Sequence, residues 1–123
     1  MSKSALIAET NKILIESLAG TLSNFGFKVI GTTSEESDIV DLTLKTRPDL
    51  LAFDFRLSRD GVKLTDLKRL KVQLPQMKII VMRFHEAANQ FAELILKAGF
   101  DAFWNKSDSR DAFIQKLKLL FPK

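Results

Sequence analysis

The chain has no cysteine. That excludes a disulfide framework and any thiolate metal site, and it is compatible with the cytoplasm. Its one histidine, His85, has no second imidazole to form a metal constellation, and it reads as a surface or capping residue. Runs of basic residues are missing too. No lysine or arginine run exceeds two residues, and no aromatics interleave with them. The net charge of +4 therefore reads as lysines spread over solvated helix faces rather than as a nucleic-acid surface. Long apolar runs are absent. The first, Ala5 to Ala8, is too short for a signal-peptide core or a membrane span. The turn after it, Glu9-Thr10-Asn11-Lys12, has no glycine, which argues against a flavodoxin-like binder of a nucleotide or flavin. No nucleophile–base pair stands out, so an enzyme with its own substrate is not expected.

What is present is regular alternation. The 123 residues, 46% hydrophobic and 28% charged, suit one compact domain spanning 1–123. A strand–helix pattern repeats along them without an internal repeat or a linker. Strands are expected over Ala5–Ala8, Lys28–Thr32, Leu50–Phe53, Ile79–Met82 and Ala102–Trp104. Between them run helical spacings. Ile15, Leu18, Leu22 and Phe25 mark helix one, which Gly26 stops. Thr33 and Glu36 have the spacing of a capping box for helix two, and Arg47-Pro48 closes it. Leu64, Leu67 and Leu70 mark helix three, ended by Pro75. Phe91, Leu94, Ile95 and Ala98 mark helix four, ended by Gly99. Phe113, Leu117 and Leu120 mark helix five, ending near Phe121. Such alternation predicts an α/β fold, a doubly wound parallel sheet with helices on both faces. For five strands with right-handed crossovers the expected order is 2-1-3-4-5.

That order places Glu9 and Asp54 side by side at the switch point, beyond the carboxyl ends of strands one and three, where open α/β sheets carry their chemistry. Arg83 ends strand four, and Lys106 lies just past strand five.

Two stretches give a resemblance. Arg47-Pro48-Asp49-Leu50-Leu51-Ala52-Phe53-Asp54-Phe55-Arg56-Leu57, followed by Asp60-Gly61, resembles the segment around the phosphoacceptor aspartate of receiver domains of two-component response regulators, the CheY-like family. Lys97-Ala98-Gly99-Phe100-Asp101-Ala102-Phe103-Trp104-Asn105-Lys106 resembles that family's segment from an alanine–glycine pair to its lysine. The likeness spans nearly the whole chain and implies a flavodoxin-like (receiver) fold. Carried over, Asp54 matches the phosphoacceptor, Lys106 the lysine that contacts the phosphoryl group, Phe103 the aromatic switch, and Glu9 the first of two acids. The second acid, a magnesium ligand in the family, is Thr10 here. The family's phosphoryl-binding hydroxyl residue is Arg83. The loop after Asp54 is shorter than usual, with Ser58 where proline is common, and Ser107 follows Lys106 where proline is frequent.

The departures at Thr10 and Arg83 have a physical meaning. Phosphoryl transfer to a carboxylate needs positive charge on the equatorial oxygens, and the family supplies it with a magnesium ion and a lysine. Three acids and one lysine make the family's pocket anionic. Here Glu9 and Asp54 face Arg83 and Lys106, a formally neutral set. No cofactor is expected: a magnesium site would be weakened, with Glu9 and Asp54 as its only carboxylate candidates. Arg83 is expected to form a bidentate pair with Asp54 and hold one conformational state without phosphate. Glu9 is expected to partner a lysine or arginine. Phe103 and Trp104 fall on the face of helix four, strand five and helix five, which in the family docks output partners. Trp104 reads either as a docking anchor there or as core. Asn105 is unusual in so short a strand.

The resulting expectation is an atypical receiver, a cytoplasmic protein-interaction module with weak or absent phosphorylation. The alternative is a functional receiver taking a phosphoryl group on Asp54 from a histidine kinase. Partners would be a kinase or an output protein, with no nucleic acid bound by this domain alone and no membrane. A homodimer through helix four, strand five and helix five belongs to the same expectation.

Overall fold

The structure, a computed structural model, describes residues 3–35, 38–58, 64–84 and 88–122. Five parallel strands, β1 (Lys3–Ala8), β2 (Phe27–Thr33), β3 (Leu50–Asp54), β4 (Lys78–Arg83) and β5 (Ala102–Asn105), form one sheet in the order β2-β1-β3-β4-β5. The helices are α1 (Lys12–Phe25), α2 (Ile39–Thr46), α3 (Leu64–Gln73), α4 (Ala88–Lys97) and α5 (Arg110–Leu120), with a 3-10 turn at Phe55–Ser58. This is the doubly wound order expected of the sequence. Among the described residues no helix is long and apolar enough to cross a membrane.

The central strands carry unbroken apolar stretches, Ala5–Ala8, Leu50–Phe53 and Ile79–Met82, because helices cover both faces. Alternate residues nevertheless serve different layers. Leu6, Ala8, Leu51, Phe53, Ile79, Val81 and Phe103 pack with Ile39, Leu67, Leu70, Phe91 and Ile95 from α2, α3 and α4. Ala5, Ile7, Leu50, Ala52, Ile80, Met82, Ala102 and Trp104 pack with Leu18, Leu22, Phe113 and Leu117 from α1 and α5. Each such buried leucine, isoleucine or phenylalanine contributes on the order of 1.5–3 kcal/mol.

Helix ends follow the local sequence. Asn11 caps α1, its side chain accepting from the amide of Leu14 at 3.1 Å, and Gly26 closes that helix with φ at 120°. Arg47 closes α2 in the left-handed region, with φ at 49°, one residue before Pro48. The start of α2 differs from expectation. Thr33 belongs to β2, and its hydroxyl binds the backbone of Glu35 in a local turn, so it is not the helix cap. The helix begins at Ile39, and Glu36 lies outside the described residues. Strand β2 contains a register shift. Ala5 pairs with Val29 but Leu6 pairs with Gly31, leaving Ile30 as an extra residue. A Cβ at Gly31 would lie 3.3 Å from Leu6 Cδ1, tighter than ordinary packing, so a side chain there would press on that leucine.

A charge-balanced pocket at the strand ends

Ala8 pairs with Phe53 in the β1–β3 ladder, so the next residues, Glu9 and Asp54, leave the sheet side by side. Both carboxylates are buried. Such burial is tolerable only where each charge is paired and hydrogen-bonded.

Glu9 meets that condition from two sides. Its Oε2 accepts from the amides of Thr10 at 2.8 Å and Asn11 at 3.0 Å, in the turn leading into α1. Its Oε1 accepts no well-aligned hydrogen bond and is compensated by the ammonium of Lys106 beside it. Lys106 is placed by the end of β5, its own amide donating to Arg83 O at 2.9 Å. Its side chain is 2% exposed, and Nζ also lies 3.2 Å from Asp54 Oδ2. One ammonium thus bridges both acids. On its other side, 5.6 Å away, stands the ring of Phe84.

Asp54 has a second cation. Arg56, two residues on in the 3-10 turn, donates its amide to Oδ1 at 3.1 Å and its Nε to Oδ2 at 3.2 Å. The same guanidinium donates to Thr10 Oγ1 at 3.3 Å and lies 3.9 Å from Glu9 Oε2. Glu9, Asp54, Lys106 and Arg56 form a neutral set, but the arginine is not the one expected. Arg56 was not among the residues expected at the site. Its signal was its position, two residues past the strand-end aspartate, from which a side chain can fold back over that carboxylate.

Arg83 requires a correction. It is not among the ion-pair partners of Asp54. Its guanidinium lies 5.3 Å from the ring centre of Phe55 and 5.0 Å from that of Phe91, a cation between two aromatic faces. Phe55 and Phe91 meet edge to face at 5.0 Å, and Phe91 meets Phe103 likewise at 5.0 Å. The aromatic positions also differ from a docking role. Phe103 is buried against α4, and Trp104 is buried on the opposite layer, edge to face with Phe113, its indole donating to Ser109 O at 3.3 Å. Neither ring is an exposed anchor. Asn105 gains a reason: Oδ1 accepts from the amide of Ser107 at 3.0 Å and its hydroxyl at 2.7 Å, forming the turn that ends β5. His85 and the Asp60-Gly61 pair lie outside the described residues.

Among the described residues no group of three acids or imidazoles converges on one point. The oxygens of Glu9 and Asp54 that could face a dication already hold an ammonium, a guanidinium or backbone amides, and the Thr10 hydroxyl already accepts from Arg56. A magnesium ion demands near-octahedral oxygen ligation, and this donor set does not fit it as arranged.

A family model, the response regulator receiver domain, matches residues 5–118. No curated protein matches the chain in sequence. Solved structures share the fold. A two-component response regulator of the LuxR family from Aurantimonas has 16% identity and a TM-score of 0.82, over 98% of this chain and 85% of that one. A response regulator of Chloroflexus aurantiacus, described as putative, has 17% identity and a TM-score of 0.82, covering all of both chains. A chain of the CheX–CheY–BeF3–Mg complex from Borrelia burgdorferi has 18% identity and a TM-score of 0.82, over 98% and 90%.

Proposed function

The chain belongs to the response regulator receiver domain family, and from that premise we propose that it is an atypical receiver. Receiver domains are modules of two-component signal transduction. They are in general not enzymes, and they act through signalling partners such as kinases or output domains. In the proposed reading this chain works in the cytoplasm as a protein-interaction module, and Asp54 is phosphorylated weakly or not at all.

One observation carries the reading. Both oxygens of the Asp54 carboxylate are already engaged, Oδ1 by an amide and Oδ2 by an ammonium and a guanidinium. A nucleophile held this way must break a charge-assisted hydrogen bond before it can attack phosphorus. The pocket is also neutral, so little field draws a dication in to neutralise the transferring phosphoryl group.

Incubation with acetyl phosphate and magnesium, read by intact mass, tests this. The expected result is little or no mass gain under conditions that modify ordinary receivers. A stoichiometric gain that disappears in Asp54→Asn would establish the functional receiver instead, with Lys106 in contact with the phosphoryl group.

A further inference from the structure

We infer that the guanidinium of Arg56 is a tethered cation standing in the seat that a divalent ion would need in this pocket. The seat is defined by three oxygens at the ends of two strands: Glu9 Oε2, Thr10 Oγ1 and Asp54 Oδ2. Arg56 lies 3.9, 3.3 and 3.2 Å from them. Lys106 takes the buried side of the same two carboxylates, through Glu9 Oε1 and Asp54 Oδ2. The two cations divide the pocket between an inner and an outer position. The outer one is half open to solvent, since the Arg56 side chain is 54% exposed. A free cation could reach only that outer position.

Three properties favour the guanidinium over a free ion. It is fixed two residues from Asp54, so its effective concentration at the seat is that of a short intramolecular link, on the order of millimolar or above. It is weakly hydrated, whereas magnesium gives up its water reluctantly. Its planar fork reaches a carboxylate and a hydroxyl at once, and the hydroxyl of Thr10 adds no charge that would invite a dication. The threonine and the arginine are then one device. Thr10 removes the charge that would hold a metal, and Arg56 supplies the charge that remains necessary between Glu9 and Asp54.

The inference rests on the receiver reading of the pocket, but not on how strongly Asp54 is phosphorylated. Its test compares the wild-type chain with Thr10→Asp, Arg56→Ala and the double variant, each titrated with magnesium chloride by calorimetry at constant ionic strength. The wild type is expected to show no saturation into the low millimolar range. Thr10→Asp alone is expected to stay unresponsive, because the new carboxylate pairs with Arg56. The double variant is expected to bind magnesium at least about tenfold more tightly than Thr10→Asp. Circular dichroism confirms folding of each, and a melting temperature lowered by chelator in the double variant alone gives a second readout. Equal magnesium affinity in Thr10→Asp and the double variant would overturn the inference, as would a folded double variant with no affinity. Phosphorylation of the wild type in the presence of chelator, lost in Arg56→Ala, would end the weak-phosphorylation reading and leave the tethered cation standing.

Discussion

Arg56 grips both oxygens of the Asp54 carboxylate, one with its backbone amide at 3.1 Å and one with its Nε at 3.2 Å. The residue that fixes the orientation of the carboxylate is thus also one that neutralises it. An aspartate accepting from the amide two residues on is an ordinary way to close a turn. Adding a guanidinium from the same residue converts the turn into a chelate, and Lys106 completes the enclosure from behind.

Lys106→Met should be strongly destabilising. It leaves two buried carboxylates with only the half-exposed guanidinium of Arg56 as counter-charge, and removing one partner of a buried ion pair costs about 3–5 kcal/mol. Urea unfolding should show the loss as a lower midpoint with unchanged slope. Adding Glu9→Gln should recover part of it. If the double variant is no more stable than Lys106→Met, the bridging role is wrong.

Arg56→Gln should cost far less. Its ion pairs are half open to water, where such pairs contribute about 0.2–1 kcal/mol. The backbone amide that holds Asp54 Oδ1 also survives the change. A midpoint close to wild type, together with altered amide chemical shifts at Asp54 and Thr10, is the expected outcome.

Arg83→Thr should loosen the aromatic cluster and spare the pocket. The guanidinium lies between Phe55 and Phe91, and cation–π contacts of this kind contribute about 0.5–2 kcal/mol. Thermal unfolding should register that loss. Shifts should change at Phe91 and Phe103 but not at Glu9. A large change at Glu9 would mean that Arg83 acts on the carboxylates after all.

Asp101→Ala should weaken the far end of the sheet. Asp101 Oδ2 accepts from Lys71 Nζ at 3.0 Å and from the amide of Ile79 at 2.8 Å, tying α3 and the start of β4 to the turn before β5. Losing it leaves the Ile79 amide without its acceptor and Lys71 with only the Met77 carbonyl, at about 1–3 kcal/mol. Hydrogen exchange at Ile79 should accelerate. Protection equal to wild type would assign that amide another partner.

The strand positions and their order were legible because period and length settle them. The side-chain partners were not. The expectation that Arg83 meets Asp54 weighed charge and proximity along strand ends. It missed two rings, Phe55 and Phe91, that lie far apart in sequence and converge on that guanidinium. It also missed a closer competitor in Arg56. The two aromatics of β5 could have been assigned more firmly. Adjacent strand residues point to opposite faces, and both faces of a parallel sheet are covered. Phe103 and Trp104 therefore each enter a core layer, and neither is exposed. The start of α2 was misplaced because Thr33 satisfies a local turn equally well, and a hydroxyl two residues before Glu35 does not reveal which backbone it will bind.

The extra residue in β2 has a consequence for how copies of this chain behave together. β2 is an outer strand, and a straight outer strand offers its free amides and carbonyls as a template on which a neighbour can add another strand. The register shift at Ile30 breaks the even spacing of those groups, and an extra residue of this kind bends a strand. A second molecule approaching that side cannot match both halves of β2 in one alignment. Deleting Ile30 to straighten the strand should therefore raise the tendency to form fibrils in concentrated solution, even if the folded monomer loses little stability.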